Sequence, residues 1–355
     1  MKRILIKKYD YENISKIVEN DKAVGRAKNG TKVCWYSLFI CLFNKYHKAD
    51  SSELFIVSGK AEMRRKGHED ILTLQYALTS SSIFDYHKML THVSYIGYFS
   101  RIKLIIMACR LKKNKEIPFG YFLDYILWRE FFSILKADQI WGYGHYDRLT
   151  TQIALLSVQF GKKYCMRQHG LLSNNMNLPH KIPVNRIIAF DENEIEKFKN
   201  QIILNSNCEY QTEYVSSVDF QYTEKSGKRI GIIDTPIEEM IELIRLVEKY
   251  RLDAEYIVML HPLSKIRKNF LNRERMKLVE GKKKELNFDV IFSGPSTLAY
   301  DYIRAGFNNP IIVYELKDFK VLFDLQETHE NVKVCYTLSE FEKNCQKIVS
   351  SINIT

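Results

Sequence analysis

The sequence lacks the features that mark secreted, disulfide-stapled and structural-zinc proteins. Its seven cysteines are an odd number, scattered without a CxxC pair or a cysteine–histidine cluster at zinc spacing. We therefore expect buried thiols in a reducing compartment. Hydrophobic residues are 46% and charged residues 27% of the chain, a composition that excludes a disordered, collagenous or coiled-coil protein. The length of 355 residues predicts about two domains.

Long hydrophobic runs are also missing. The strongest apolar stretches, residues 33–43 and 104–109, are shorter than the ~18 apolar residues that a membrane-spanning helix needs. The apolar part of the N-terminus, residues 4–6, is too short for a secretory signal. We expect a cytoplasmic protein that is soluble or held peripherally at the inner face of the membrane.

Several motifs of nucleotide and metal chemistry are absent as well. The chain has no GxxxxGK[ST] phosphate loop, no GxGxxG after a strand and no DxD-like pair in a loop after a strand. It also carries no motif of a DNA- or RNA-binding module. We therefore predict no resident metal, no bound cofactor and no nucleic-acid partner.

Basic residues outnumber acidic ones by 53 to 42, which gives a net charge of +11. A basic balance favours an acidic partner: nucleic acid, an anionic membrane surface or a phosphorylated substrate. The densest basic run, residues 265–284, lacks the interleaved aromatic residues of a nucleic-acid stacking platform. This pattern is typical of a solvated face, and contact with an anionic membrane is the functional alternative.

The second half of the chain has the most regular pattern of strands and helices. It follows a polar stretch that begins at Thr223. We therefore predict a first domain over residues 1–222 and a second over residues 228–355, and the closing helix of the second is able to cross back to the first. Alternating apolar strands and helices are typical of a parallel sheet covered on both faces. The predicted strands are residues 229–233, 256–260, 289–292, 310–314 and 332–336, and the predicted helices begin at Thr235, Ser296 and Leu338.

The first half is less regular but again reads as α/β. Its predicted strands are residues 4–6, 53–57, 139–142, 163–166 and 186–190, and its predicted helices fill most of 71–135, span 149–159 and begin at Asp191. We therefore predict two Rossmann-like domains that face each other across a cleft. In open parallel sheets the ligand binds beyond the carboxyl ends of the strands, so residues that follow strands are the candidate site.

Two strand ends of the second domain carry residues suited to a phosphate group. His261 follows one strand, and Pro262 holds the chain extended there. Ser293-Gly294-Pro295-Ser296-Thr297 follows another strand and begins a helix, whose N–H groups and hydroxyl side chains favour an anion. For His261 alone, the alternative is a histidine that happens to lie in a turn. For the second motif alone, the alternative is an ordinary helix cap that binds no ligand. The predicted phosphate clamp consists of His261, Pro262, Ser293, Gly294, Ser296 and Thr297.

Two strand ends of the first domain carry candidates for acid–base chemistry. Histidine and carboxylate side chains at strand ends are suited to general acid–base chemistry. His169 follows one strand and Asp147 lies in the loop after the preceding strand, so these are the two candidate bases. The alternative for His169 is a structural histidine, and the alternative for Asp147 is an N-terminal helix cap. For His145 the alternative is packing on an aromatic ring. The predicted acceptor-binding or supporting residues are His145, Arg148, Gln168 and Gly170.

The two motifs of the second domain together resemble the HP and S-S/T motifs of bacterial GT-B glycosyltransferases. The similarity continues through Leu298-Ala299-Tyr300-Asp301-Tyr302 to Gly306 and Pro310. The most similar families use CMP-activated acidic sugars: the sialyltransferases, polysialyltransferases and Kdo transferases of capsule and lipopolysaccharide synthesis. In those families the histidine and the Ser/Thr pair bind the nucleotide phosphate, which implies the same role for His261, Ser296 and Thr297.

The resemblance is less direct at Gln168-His169-Gly170. The CMP-sugar families carry D/E-D/E-G at this strand end, and an acidic residue there is the base of the sialyltransferases, so that role does not carry over. The CDP-glycerol polyol phosphotransferases of teichoic acid synthesis are also similar, with W-H-G at this point, whose histidine is the base, and an HPL like His261-Pro262-Leu263. The resemblance covers residues 139–314 and is poor over about the first 130.

The resemblance implies an inverting, metal-independent glycosyltransferase that adds a sugar to a bacterial surface polysaccharide. The donor is expected to be a CMP-activated nonulosonate or Kdo, bound mainly by the second domain, with a glycan or glycolipid acceptor on the first. A polyol phosphotransferase with a CDP donor is the enzymatic alternative. A non-catalytic protein that binds glycans in a polysaccharide assembly complex is the alternative of another class.

Overall fold

The structure is a computed structural model of the 355-residue chain. It describes residues 8–24, 53–57, 72–75, 96–111, 117–142, 146–168, 170–172, 176–204, 207–214, 218–222, 228–250, 254–261, 264, 266, 276–281, 283–315 and 329–354. The chain forms two compact units. Unit 1 comprises residues 1–169 and 176–214, and unit 2 comprises residues 170–175 and 215–355.

Unit 1 is built on a parallel sheet of six strands in the order β2-β1-β3-β4-β5-β6. Its strands are β1 (Glu53–Val57), β2 (Leu72–Gln75), β3 (Gln139–Gly142), β4 (Lys163–Arg167), β5 (Arg186–Ala189) and β6 (Glu209–Thr212). Its helices are α1 (Lys8–Ala23), α2 (Tyr98–Leu111), α3 (Phe119–Ile134), α4 (Arg148–Gln159) and α5 (Glu192–Lys197), and a π-helix follows at Phe198–Ile202.

The helix α3 forms the centre of the helical layer of unit 1. Apolar and aromatic side chains occur all around it, a pattern typical of a helix buried on every side. Trp128 meets Phe131 edge to face, with 5.6 Å between the ring centroids. The helices α1, α2 and α4 all pack against α3. Unit 1 therefore has a core of its own, independent of unit 2.

Unit 2 is built on a second parallel sheet of six strands in the order β10-β9-β8-β12-β13-β14, and β7 pairs with β11 in a small separate sheet. The strands are β7 (Asp219–Gln221), β8 (Lys228–Ile233), β9 (Ala254–Met259), β10 (Met276–Val279), β11 (Lys283–Glu285), β12 (Val290–Ser293), β13 (Ile311–Tyr314) and β14 (Val332–Cys335). The helices are α6 (Met240–Lys249), α7 (Thr297–Arg304) and α8 (Leu338–Ile354).

The strand order of unit 2 is that of a dinucleotide-binding sheet. Numbered within the six-stranded sheet alone, the order is 3-2-1-4-5-6, and the chain reverses direction across the sheet between β8 and β12. Apolar residues at helical spacing on α6, among them Leu243, Ile244 and Val247, are buried in the core. The closing helix α8 packs on α6, β13 and β14, and its Phe341 ring lies 5.8 Å from that of Phe292.

The predicted α/β class with two Rossmann-like units is confirmed by these sheets. Two predictions about individual elements are wrong. Leu72–Gln75 is a strand paired with β1, where helix was expected. The helix expected to begin at Thr235 begins at Met240, because Pro236 lies at a bend and residues 238–239 form a turn. The strands β6, β7, β10 and β11 were not anticipated. The predicted strand at residues 4–6 and the linker at 223–227 lie outside the described residues.

Of the five cysteines within the described residues, four follow the expectation and one does not, while Cys34 and Cys41 lie outside those residues. Cys165, Cys208, Cys335 and Cys345 are buried free thiols, whereas Cys109 on α2 is exposed. Among the residues that the structure describes, no helix is both long and apolar enough to cross a membrane.

Candidate functional site

The candidate site of unit 2 lies where three neighbouring strands end at the same level. Ile233, the last residue of β8, pairs with Met259 at the end of β9 and with Ser293 at the end of β12. The loops that follow therefore leave one edge of the sheet side by side. The strand β8 lies between β9 and β12, at the point where ligands bind in sheets of this order.

Asp234 follows β8 and connects the central loop to the loop after β9. Its side chain is 1% exposed, and its Oδ2 accepts a hydrogen bond from the backbone N–H of His261 at 3.2 Å. Its Oδ1 has no hydrogen-bond partner within the described part of the chain. Burial raises the pKa of Asp234, while hydrogen bonds from the Ser264 hydroxyl and the His261 backbone oppose the shift.

His261 is half-buried and is held through its backbone on both sides. Its N–H donates to Asp234, and its carbonyl accepts from the backbone N–H of Ser264 at 2.9 Å. Burial lowers the pKa of the His261 imidazole, and the negative charge of Asp234 opposes that shift. The imidazole is therefore neutral near pH 7, so one ring nitrogen donates and the other accepts. Pro262 lies outside the described residues.

The loops after β8 and β12 touch at Gly294. A Cβ at this position would lie 2.0 Å from the Oγ1 of Thr235, so only glycine fits without movement of the loops. Thr235 is 2% exposed, which leaves its side chain no free space to move into. Ser293 is also buried, and its hydroxyl donates to the Gly294 carbonyl at 2.6 Å. The Ser293 hydroxyl therefore supports the loop and does not face solvent.

Ser296 caps α7. Its Oγ accepts from the backbone N–H of Leu298 at 3.2 Å, which leaves the hydroxyl proton for a ligand. Ser296 and Thr297 are both half-exposed at the helix N-terminus, where backbone N–H groups and the helix dipole favour an anion. Gly170, one of the residues that belong to unit 2, lies close by. A Cβ on Gly170 would be 3.7 Å from the Cγ2 of Thr297.

In unit 1 the structure gives Asp147 a capping role. It is the N-cap of α4, and its two carboxylate oxygens accept hydrogen bonds from the N–H and the hydroxyl of Thr150, each at 3.0 Å. Arg148 forms an ion pair with Asp124 at 4.0 Å and lies over the ring of Tyr121. The side chains of Asp147 and Arg148 thus have partners inside unit 1.

Gln168 is buried and connects β4 to the elements beside it. Its amide nitrogen donates to Glu194, and its amide oxygen accepts from the backbone N–H of Phe190 at 2.7 Å. This arrangement gives Gln168 a supporting role. The two histidines of unit 1 that the sequence singled out, His145 and His169, lie outside the described residues.

Three residues at the strand ends of unit 2 were not among the predicted site residues: Asp234, Thr235 and Glu315. Glu315 follows β13, is 0% exposed and has a pKa that burial raises to about 8. The signal that finds all three is their place directly after an apolar strand, the same signal that identified His261. Asp234 and Thr235 were instead interpreted as the start of a helix.

A groove of about 850 Å³ on unit 1 does not coincide with these residues. It is lined by Leu155 and Val158 near the end of α4 and by Leu178 and Pro183, which precede β5. Residues that precede parallel strands lie at the amino-terminal edge of the sheet. The groove is thus at the edge opposite to the one that carries ligands in such sheets.

Among the described residues, no group of three or more His, Cys, Asp or Glu side chains is arranged to hold a metal ion. Hydrogen-bond donors for an anionic ligand are available from the neutral His261 imidazole and from the first turn of α7.

The comparisons with known proteins found similar chains among the solved structures only. No family model matches the chain, and no curated protein matches it. One similar structure is that of Alr3699/HepE from Anabaena in complex with UDP, with a TM-score of 0.43 and 12% identity over 85% of this chain and 95% of that chain. Another is the apo form of the lipopolysaccharide outer core galactosyltransferase WaaB, with a TM-score of 0.38 and 9% identity over 84% of this chain and 90% of that chain.

Proposed function

We propose that the protein is a metal-independent glycosyltransferase that transfers a sugar from a nucleotide donor to a bacterial surface glycan. The observation that carries the proposal is the strand-end cluster of unit 2. Three neighbouring strands end at the same level, and the loops after them carry Asp234 and Thr235, His261, and the start of α7. These strand ends lie where the strand order of the sheet reverses, which is where nucleotides bind in sheets of this order. This arrangement supports binding of the phosphate groups of a nucleotide.

Negative charge develops on the leaving nucleotide as the bond between its phosphate oxygen and the sugar breaks and the acceptor oxygen forms the new glycosidic bond. In this proposal the His261 imidazole donates a hydrogen bond to a phosphate oxygen, and the hydroxyls of Ser296 and Thr297 donate to others. The positive end of α7 stabilises the same charge, so no divalent ion is required.

The base in this proposal is His169, which removes the proton of the acceptor hydroxyl. The alternative candidate, Asp147, already accepts two hydrogen bonds from Thr150 as the cap of α4. Support for His169 comes from its place in the sequence, two residues after the end of β4. A histidine has an unperturbed pKa of about 6.5, suited to proton transfer near neutral pH.

The finer identity of the donor follows from the resemblance of the HP and S-S/T motifs. It points to a CMP-activated nonulosonate or Kdo, an inverting reaction and an acceptor in capsule or lipopolysaccharide. Peripheral attachment to the inner membrane face through the basic run at 265–284 belongs to the same proposal. The described part of that run is mixed, because Lys277 is exposed whereas Lys284 is 4% exposed.

The test is calorimetric titration of the full chain with CMP, CDP, UDP and GDP. We expect a cytidine nucleotide to bind, and His261→Ala to weaken that binding by about 10- to 100-fold, since a hydrogen bond to a charged group contributes on the order of 1.5–3 kcal/mol. The matched control is His180→Ala, because His180 pairs with Glu19 in unit 1.

Two results would overturn the proposal. One is the absence of binding for all four nucleotides, which would favour a non-catalytic glycan-binding protein. The other is equal affinity in folded His261→Ala and wild type. Product analysis with CMP-sugars against CDP-glycerol then decides between sugar transfer and polyol phosphate transfer, because only one donor is consumed.

A further inference from the structure

The helix α2 exposes apolar side chains on the face opposite to the one it buries. Phe99 is 85% exposed, and Ile102 and Ile106 are each 46% exposed. Their spacing of three and four residues places them in one stripe of the helix. Leu104 and Ala108 are completely buried and lie on the other side, where α2 packs on α3. The outer stripe is apolar where a surface helix is normally polar.

Positive charges flank this outer stripe. Lys103 and Arg110 are exposed and lie on the same side of the helix as Phe99, four and eleven residues further on. The sequence of α2 contains no aspartate or glutamate, and three lysines follow it at positions 112, 113 and 115. An exposed apolar stripe bordered by basic residues is the pattern of a helix that lies in the interface of a membrane.

We propose that the outer face of α2, formed by Phe99, Ile102, Lys103, Ile106 and Arg110, docks onto the surface of an anionic phospholipid bilayer. The apolar side chains enter the boundary between headgroups and acyl chains, and the two cations contact phosphate groups. Charge selects this occupant over a second copy of the chain, because two α2 faces in contact would bring their cations together. The proposal is independent of glycosyl transfer and of the basic run at 265–284.

The experiment is co-sedimentation of the full chain with two kinds of vesicle. One contains phosphatidylcholine alone, and the other contains phosphatidylcholine mixed with phosphatidylglycerol. We expect binding to the anionic vesicles and at least about tenfold weaker partitioning for Phe99→Ser combined with Ile106→Ser, because two apolar side chains that enter the bilayer are lost. Lys103→Glu combined with Arg110→Glu is expected to abolish the preference for anionic vesicles.

The matched control is Val158→Ser combined with Leu204→Ser. Both residues are exposed apolar side chains of unit 1, at 61% and 65%, and neither is part of α2. This variant is expected to bind vesicles like the wild type. The affinity for nucleotide is expected to be the same in all of these variants, since the changes lie outside the strand ends of unit 2. A failure here is thus separate from a failure of the proposed catalytic site.

Four outcomes would overturn the proposal. The wild type fails to bind anionic vesicles, or the control variant loses as much binding as the α2 variant. Alternatively, Phe99→Ser with Ile106→Ser lowers the melting temperature, which would mean that another part of this chain covers the stripe. Finally, light scattering shows a dimer that this variant converts to a monomer, which would assign the face to a second copy.

Discussion

At the scale of the residue, one carboxylate orders the loops of the candidate site. Asp234 accepts the backbone N–H of His261 while its own side chain is buried, and it lies between the two motifs that the sequence had identified. Its Oδ1 lacks a partner among the described residues. Burial disfavours the charged form of a carboxyl, so the pKa of Asp234 is raised in the folded protein.

The first prediction concerns the pH dependence of stability at Asp234. Its pKa is raised in the folded protein, so its contribution to stability is present at low pH and is lost as the pH rises through the folded-state pKa. Asp234→Asn does not titrate there. We therefore expect the free energy of unfolding of the variant, relative to wild type, to improve as the pH rises above about 3.9, the ordinary value for aspartate.

The measurement is urea unfolding of both proteins at a series of pH values, starting below about 3.9 and rising from there. The control is Asp138→Asn, a change at an exposed aspartate at the entry to β3. If the stability curves of wild type and Asp234→Asn stay parallel with pH, Asp234 is not a carboxyl whose charged form is disfavoured by folding.

The second prediction concerns the contact between Gly294 and Thr235. Gly294→Ala places a methyl group 2.0 Å from the Thr235 hydroxyl oxygen, so the two loops must separate. We expect a loss of about 1–3 kcal/mol in the free energy of unfolding and a weaker affinity for nucleotide. Gly97→Ala is the control, because a Cβ there meets nothing within 4 Å.

A double-mutant cycle tests the cause of this effect. Thr235→Ala removes the clashing oxygen, so Gly294→Ala is expected to cost less in that background. A strictly additive cycle would contradict the proposed clash, and would show that Gly294 is needed for another reason.

At the scale of the element, two helix N-termini have side-chain caps with different predicted roles. Ser296 caps α7 in unit 2 and Asp147 caps α4 in unit 1. The cap of α7 is half-exposed at the candidate phosphate site, whereas both oxygens of Asp147 are engaged by Thr150. Substitutions that preserve capping therefore separate stability from ligand binding at both positions.

The third prediction uses the cap of α7. Aspartate caps a helix as well as serine does, so Ser296→Asp is expected to keep the stability that Ser296→Ala loses, about 1 kcal/mol. The new negative charge repels phosphate, and we expect about tenfold or more weaker binding of CMP. Titration with cytidine, which has no phosphate, provides the control. Equal weakening for CMP and cytidine would place the phosphate elsewhere.

The fourth prediction uses the cap of α4. Asparagine is also a good cap, so Asp147→Asn is expected to leave both stability and kcat close to wild type. Asp147→Ala is expected to lose about 1 kcal/mol of stability for lack of a cap. His169→Ala, in contrast, is expected to lose about 10²-fold in kcat and to retain its affinity for the donor.

These assays measure kcat and nucleotide affinity alongside the melting temperature. A loss of about 10²-fold in kcat for folded Asp147→Asn, with normal activity in His169→Ala, would assign the base to Asp147.

At the scale of the whole molecule, there are two α/β units, each built on its own parallel sheet and each with its own core. The strand ends of unit 2 carry the candidate nucleotide site, and α2 of unit 1 carries the proposed membrane-docking face. Neither surface contains a metal-ligand cluster within the described ranges. In the proposed function, side chains and helix dipoles stabilise the leaving nucleotide.

The fifth prediction follows from this chemistry. Once a donor and an acceptor are identified, product formation is expected to continue unchanged in excess EDTA, because the negative charge of the leaving nucleotide is stabilised by fixed groups. The assay compares initial rates with and without chelator. Loss of activity that Mg²⁺ or Mn²⁺ restores would contradict a metal-independent mechanism.

How far the sequence predicts the site depends on which signals are local. His261 and the motif that begins at Ser293 were found because each follows an apolar strand, and the cap of α7 was expected at Ser296 or Thr297. Thr235 was misassigned as a cap because the pattern Thr-Pro-x-Glu is also typical of a helix start. In the structure its side chain is instead buried against the loop of Gly294, a contact between residues far apart in the sequence.

The sequence by itself determined the α/β class, most strands of the two sheets and the strand ends that carry polar residues. These features depend on hydrophobic periodicity and turn chemistry, which act over a few residues. Only the tertiary structure decided that β8 lies between β9 and β12, and that Asp234 therefore stands between His261 and α7. Strand order is set by how the crossover helices pack on the sheet, and that packing joins residues that no local pattern connects.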